Sequence, residues 1–184
     1  MQDAELAQFI EIFQRPEPER TTLEARIQAI EDREAIRQVL VAYGYLCDAR
    51  RWDELLELYT DDIERVLGGT LTERVQGKAA LRELYLAPAL PHAGEGEAPP
   101  ASQLNTYELR HLIVGDLVRL DETGTRGWAI AAYSLVASSD VGEFRRGQHE
   151  GGYIFEMRRC DDGRWRVSRM TVFSENARNP LFQT

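Results

Sequence analysis

Apolar residues recur along this chain with two different periods, and the switch between them divides it. Over residues 4–13, Leu6, Phe9, Ile10 and Phe13 share one stripe of a helix, which Pro16 and Pro18 end. Such an arm covers either its own domain or a neighbouring subunit. Thr21 and Glu24 fit a capping box at the start of the next helix, each side chain satisfying an exposed backbone donor. Leu23, Ile27, Ile30, Ile36, Val39, Leu40, Tyr43 and Cys47 continue at helical spacing until Asp48-Ala49-Arg50-Arg51 breaks the stripe. Trp52, Leu55, Leu56 and Tyr59 predict a second short helix, stopped by Thr60-Asp61-Asp62.

From Ile63 the pattern alternates. Ile63 to Leu67 and Leu71 to Val75 flank Gly68-Gly69 and predict a hairpin. Gly77 precedes a third helix, Lys78 to Leu86, with Leu81, Leu84 and Tyr85 on one side. Residues 88–100, rich in Pro, Gly and Ala, predict a long irregular loop, of a length uncommon unless it acts as a lid or is mobile. Four strands follow: Tyr107 to Leu120, Arg126 to Ala137, Gly147 to Arg159 and Arg164 to Phe173. Asp121-Glu122-Thr123-Gly124 and Asp161-Asp162-Gly163 are the turns of hairpins, and Ser138 to Phe144 is a longer connection. Helices first and a meander of long strands afterwards is the α+β pattern of a curved sheet closed by helices. The division is an N-terminal arm over 1–20, one domain over 21–175 and a tail over 176–184.

Composition narrows the function without choosing it. With 184 residues, 43% hydrophobic and 29% charged, the chain suits one folded domain with a real core. No apolar run approaches the ~18 residues of a membrane span, and the N-terminus lacks the basic and apolar segments of a secretory signal. The expectation is a cytoplasmic protein. A net charge of -9 argues against a nucleic-acid partner, because phosphate-backbone affinity needs clustered Lys and Arg. The arginine pairs at 50–51, 145–146 and 158–159 are far apart and interleaved with acids. Two isolated cysteines, Cys47 and Cys160, indicate neither a disulfide nor a zinc site.

Asp48 and His111 are each ambiguous when taken singly. An acid at the end of an apolar helix reads as a terminator or as a cap for the helix at Trp52. One of three histidines at the start of a strand reads as a satisfied structural residue. The run Leu23 to Arg37 resembles the opening helix of SnoaL-like proteins of the NTF2-like superfamily. So does Tyr43 to Tyr59, with Asp48 followed by Trp52, an apolar helix and Asp61-Asp62. Val75-Gln76-Gly77-Lys78 is similar to that family's strand-Gly-helix junction, Arg110-His111 to the opening of its central strand, and Asp162 to Val167 to its last hairpin. The resemblance spans roughly Leu23 to Phe173.

What the resemblance implies is a cone, a strongly curved mixed or antiparallel sheet wrapped around helices with an apolar pocket inside. Its members include scytalone dehydratase, bile-acid 7α-dehydratase, hexachlorocyclohexane dehydrochlorinase, polyketide cyclases, ketosteroid isomerase and the β subunits of ring-hydroxylating dioxygenases. Fold alone does not choose among them. In the dehydratase and dehydrochlorinase branches an Asp matching Asp48 pairs with a His matching His111. The carboxylate would keep one ring nitrogen protonated and stabilise imidazolium, leaving the other to abstract a proton. Histidine titrates near pH 6.5, so it can take and return that proton under cellular conditions.

The remaining candidates surround that pair. Tyr43 lies about one helical turn before Asp48 and is either a polarising donor or a core aromatic. On the third long strand His149, Gly151, Tyr153, Phe155 and Met157 share a face by the period of two. Tyr133 and Trp128 fall on opposite faces of the strand before it. Trp52, Tyr133, His149, Tyr153 and Phe155 are the expected substrate-binding residues, and His92 sits in the 88–100 loop. The histidines show no HxH, HxxxH or HExxH spacing, so no metal is expected. No phosphate loop or serine nucleophile elbow is present. The expectation is a cofactor-independent lyase acting on a small apolar cyclic, polyketide- or steroid-like substrate. Its catalytic set would be Asp48, His111 and Tyr43. A cyclase or isomerase is the close variant, and a non-catalytic β subunit or ligand-binding module the rival. A homo-oligomer, dimer or trimer, is expected because the outer sheet face needs cover.

Overall fold

A computed structural model describes residues 9–67, 73–86, 108–139 and 145–174. Residues 88–100 with His92, the turn at Gly68-Gly69 and the C-terminal tail lie outside the described residues. A helical segment over 9–14 (α1) comes first. It is followed by α2 (Leu23–Asp48), α3 (Trp52–Leu56), β1 (Tyr59–Leu67), β2 (Glu73–Gln76), α4 (Lys78–Leu86), β3 (Glu108–Leu120), β4 (Arg126–Ser139), β5 (Arg145–Arg159) and β6 (Trp165–Ser174).

The strands form one curved, unclosed sheet in the order β2-β1-β6-β5-β4-β3. β1 and β6 run parallel and every other pair is antiparallel, so the sheet is mixed. The concave face carries Tyr133, Tyr153, Phe155, Met157, Val167 and Met170 onto α2, whose Ile36, Leu40, Tyr43 and Cys47 complete the core. The outer face carries a smaller cluster, Ile154 and Phe173, under Phe9 of α1. The N-terminal arm therefore packs on its own domain, and Glu17 beyond it pairs with Arg33 of α2 and Arg119 of β3. Gly151 is what lets β5 and β6 meet there, since a Cβ on it would sit 1.9 Å from the Phe173 carbonyl oxygen.

Three sequence expectations need correction. The cap of α2 is Thr22, not Thr21, and its hydroxyl accepts from the Ala25 amide at 3.1 Å. The apolar stripe of α2 is buried only from Ala29 onward, and Leu23, Ile27 and Ile30 are exposed. The helix at Trp52 ends at Leu56, and Tyr59-Thr60-Asp61-Asp62 opens β1. Pairing wins there over helical spacing, because Tyr59 sits opposite Val167 and the Val167 amide donates to the Leu58 carbonyl at 2.9 Å. The four long strands form the expected meander, β6-β5-β4-β3, and β1 joins it by pairing parallel to β6.

Candidate active site

Asp48 is the last residue of α2, and a tight cap closes the helix directly behind it. The Arg50 amide donates to the Cys47 carbonyl at 3.1 Å and the Arg51 amide to the Leu46 carbonyl at 2.9 Å. This is the Schellman pattern, with Arg50 in the left-handed region (φ 54°) where glycine usually stands. A carboxylate at a helix C-terminus faces the negative end of the macrodipole, so it needs donors. β3 supplies them.

The backbone amide of His111 donates to Oδ1 and Oδ2 of Asp48, each at 3.0 Å, and His111 Nδ1 lies 2.6 Å from Oδ1. Both side chains are nearly withdrawn from water, at 8% exposure for Asp48 and 9% for His111. The close approach of α2 to β3 depends on Gly44, where a Cβ would stand 3.3 Å from Ile113 Cδ1 and 3.5 Å from His111 Cβ. With Asp48 ionised, its geometry assigns the proton to Nδ1. Nε2 has no hydrogen-bond partner among the described residues.

Aromatic rings of the core pack beside this pair. Tyr43 presents an edge to His111 at 5.9 Å between ring centroids, to Tyr153 at 5.5 Å and to Phe155 at 6.0 Å. Tyr133 stacks on Tyr153 at 4.4 Å. Burial first, then neighbouring Tyr153 and Cys47, hold the Tyr43 phenol well above its ordinary pKa, so it is a hydrogen-bond donor and not a phenolate. Burial also raises Tyr153, against a hydrogen bond from Tyr43. It pushes the Cys47 thiol up to about 12, which leaves that thiol inert as a nucleophile.

The expected residues thus fall in two groups. Asp48, His111, Tyr43, Tyr133, Tyr153 and Phe155 are brought together. Trp52 stands with a second group, stacked on Tyr85 at 5.4 Å and nearly parallel to it. The Tyr85 hydroxyl in turn meets that of Tyr59 at 2.9 Å. His149 is placed on β5 opposite Leu135, and its side chain lies outside the described residues. Sequence reasoning missed Tyr59, Tyr85 as a polar residue, and Arg65, whose guanidinium carbon lies 5.6 Å from the Tyr85 ring centroid. It also missed Asp32, buried at 4% exposure, which accepts from Trp165 Nε1 at 2.9 Å and ties α2 to β6. The signal for Asp32 was its place on the buried stripe of α2.

Among the described residues, no group of three His, Cys, Asp or Glu converges closely enough to hold a metal ion. No helix among them is long and apolar enough to cross a membrane.

Comparison with known proteins matches the chain to a family model. Residues 28–171 match the model of the SnoaL-like domain. An NTF2-like protein with a cystatin-like fold from Novosphingobium aromaticivorans is 24% identical with a TM-score of 0.64, over 90% of this chain and 98% of that one. A candidate scytalone dehydratase from the same organism is 15% identical with a TM-score of 0.65, over 86% and 99%. A type 2 hexachlorocyclohexane dehydrochlorinase is 17% identical with a TM-score of 0.63, over 81% and 88%. At these identities the likeness shows the fold. No curated protein matches the chain.

Proposed function

The chain belongs to the SnoaL-like domain family, and on that premise we propose that it is a cofactor-independent lyase. It would eliminate water or a similar leaving group from a small, mostly apolar cyclic substrate. The observation that carries this reading is the 2.6 Å contact between Asp48 and His111 Nδ1. It leaves Nε2 as the basic nitrogen, beside a phenol that keeps its proton. Two structural neighbours bear the names of a dehydratase and a dehydrochlorinase, which supports the same class. A cytoplasmic location belongs to this reading.

In the proposed reaction His111 Nε2 removes a proton from the carbon next to a carbonyl. The C–H electron pair becomes the new double bond as the bond to the leaving oxygen or halogen breaks. Asp48 stabilises the imidazolium formed, and the negative end of α2 adds to that effect. The Tyr43 phenol donates to the carbonyl or to the departing oxygen. For a hydroxyl leaving group the proton held by imidazolium returns to it and water is released, and for a halide the anion departs and that proton passes to solvent, each restoring the neutral base.

The test is a screen of hydroxylated and halogenated cyclic ketones and steroids, read by ultraviolet absorption of a conjugated enone and by product mass. Loss of water or hydrogen halide supports elimination. A product of unchanged mass assigns the chemistry to isomerisation instead.

A further inference from the structure

Arg65 is half-buried on the core face, and among the described residues it has no counter-ion. It stands on β1 opposite Met170 of β6 and Val75 of β2, on the face where Ile63 and Met170 are fully buried. Its Nε is closed off from solvent and has no hydrogen-bond partner, and no carboxylate pairs with the guanidinium among the described residues. Arg119 and Arg169 also bury their Nε, but each has an acidic partner, Glu17 for the first and Glu64 and Glu156 for the second. What surrounds Arg65 is phenolic. Burial works against its charge, and the phenols of Tyr85, Tyr43, Tyr59 and Tyr153 are the titratable groups near it. Those phenols are themselves held protonated by burial, so they offer oxygen atoms but no negative charge.

A guanidinium half withdrawn from water, with its Nε unpartnered, is costly to keep without a counter-charge, and its planar fork matches a carboxylate through two parallel hydrogen bonds. Arg65 and the Asp48–His111 pair also share one set of neighbours. Tyr43 touches the His111 ring, and Cys47 feels the charges of both Arg65 and Asp48. We propose that Arg65 anchors a carboxylate on the substrate, so that the site takes cyclic carboxylic acids in preference to neutral rings. This names the substrate class for the reaction proposed above and rests on that reading.

Calorimetric titration of the full chain with benzoate and with its neutral counterpart benzamide tests it. The wild type should bind benzoate at least tenfold more tightly. Arg65→Gln should erase that preference, Arg65→Lys should weaken it several-fold because the ammonium lacks the fork, and His111→Ala should retain it. Thermal melting checks the variants, and Arg65→Gln should melt no lower than wild type, because it removes an unpaired charge. If Arg65→Gln does not fold, Arg65→Lys decides, and an undiminished preference in it overturns the proposal. Equal binding, or none, by the wild type also overturns it. So does a preference that survives Arg65→Gln and vanishes in His111→Ala, which would give the anion to imidazolium. A benzoate preference in a protein that eliminates nothing keeps the Arg65 anchor and removes the lyase reading. Elimination from neutral rings alone, untouched by Arg65→Gln, does the reverse.

Discussion

Asp48 holds His111 twice, through the backbone amide at 3.0 Å and through ring Nδ1 at 2.6 Å. One carboxylate thereby fixes both the register of β3 against the end of α2 and the orientation of the imidazole. An acid that only terminated the helix would need donors, but not the contact that orients a ring. The pairing also supplies donors that offset its position at the negative end of the helix.

The cap behind Asp48 carries a measurable strain. Arg50 adopts φ 54°, a region that costs a residue with a Cβ roughly 1–2 kcal/mol relative to glycine. Arg50→Gly should stabilise the protein by about 1 kcal/mol, the relief being partly offset by the greater freedom of glycine in the unfolded chain. A urea midpoint that rises with unchanged slope is the expected outcome. A lower midpoint would mean that the Arg50 side chain contributes more than its backbone costs.

Alkaline pH should unfold this protein through its interior. Cys47 is raised from 9.0 to about 12 by burial, and Tyr43 and Tyr59 are held well above 10.0 for the same reason. A group whose folded pKa is raised leaves stability intact below its unfolded pKa and erodes it as pH climbs toward the folded value. For Cys47 the window runs from pH 9 to 12, at up to ~1.4 kcal/mol per pH unit. Cys47→Ala should flatten the fall of stability just above pH 9, where the tyrosines do not yet ionise. Denaturant titrations across that range check it, and an unchanged slope would contradict it.

β3 is an edge strand, and its Leu112, Val114 and Leu117 are exposed at 51%, 59% and 54%. Leu23, Ile27 and Ile30 of α2 are exposed as well. Apolar surface on that scale favours association. We expect light scattering at micromolar concentration to give a dimer or trimer of the 21.0 kDa chain. A monomer mass would count against it, and Leu112→Lys with Val114→Lys should lower the mass if β3 forms the contact.

Much of this fold was legible because long hairpins write themselves in alternation and turn residues. β3 to β6 begin and end within two residues of the spans that the pattern predicts, and α4 matches Lys78 to Leu86. Local pattern misread Tyr59, which completes a helical stripe with Leu55 and Leu56 yet pairs with distant Val167. It could not find the parallel pairing of β1 with β6, which joins residues about a hundred positions apart. At the site, Asp48 and His111 emerged from a family resemblance, since each alone has an ordinary structural explanation. Arg65 escaped notice because an arginine on a strand reads as solvent-facing. Only its register opposite Met170 puts it on the core face.

The most direct measurement is the turnover of Asp48→Asn, His111→Ala and the double variant on a substrate found by the screen. General-base catalysis is worth ~10²–10⁴-fold, so each single variant should lose at least that order in kcat while remaining folded. The double variant should be little worse than His111→Ala, because the two residues act as one unit. Tyr43→Phe should cost less, on the order of one hydrogen bond to developing charge. Near-normal turnover by folded Asp48→Asn and His111→Ala would contradict the account, and would make the 2.6 Å contact a structural one.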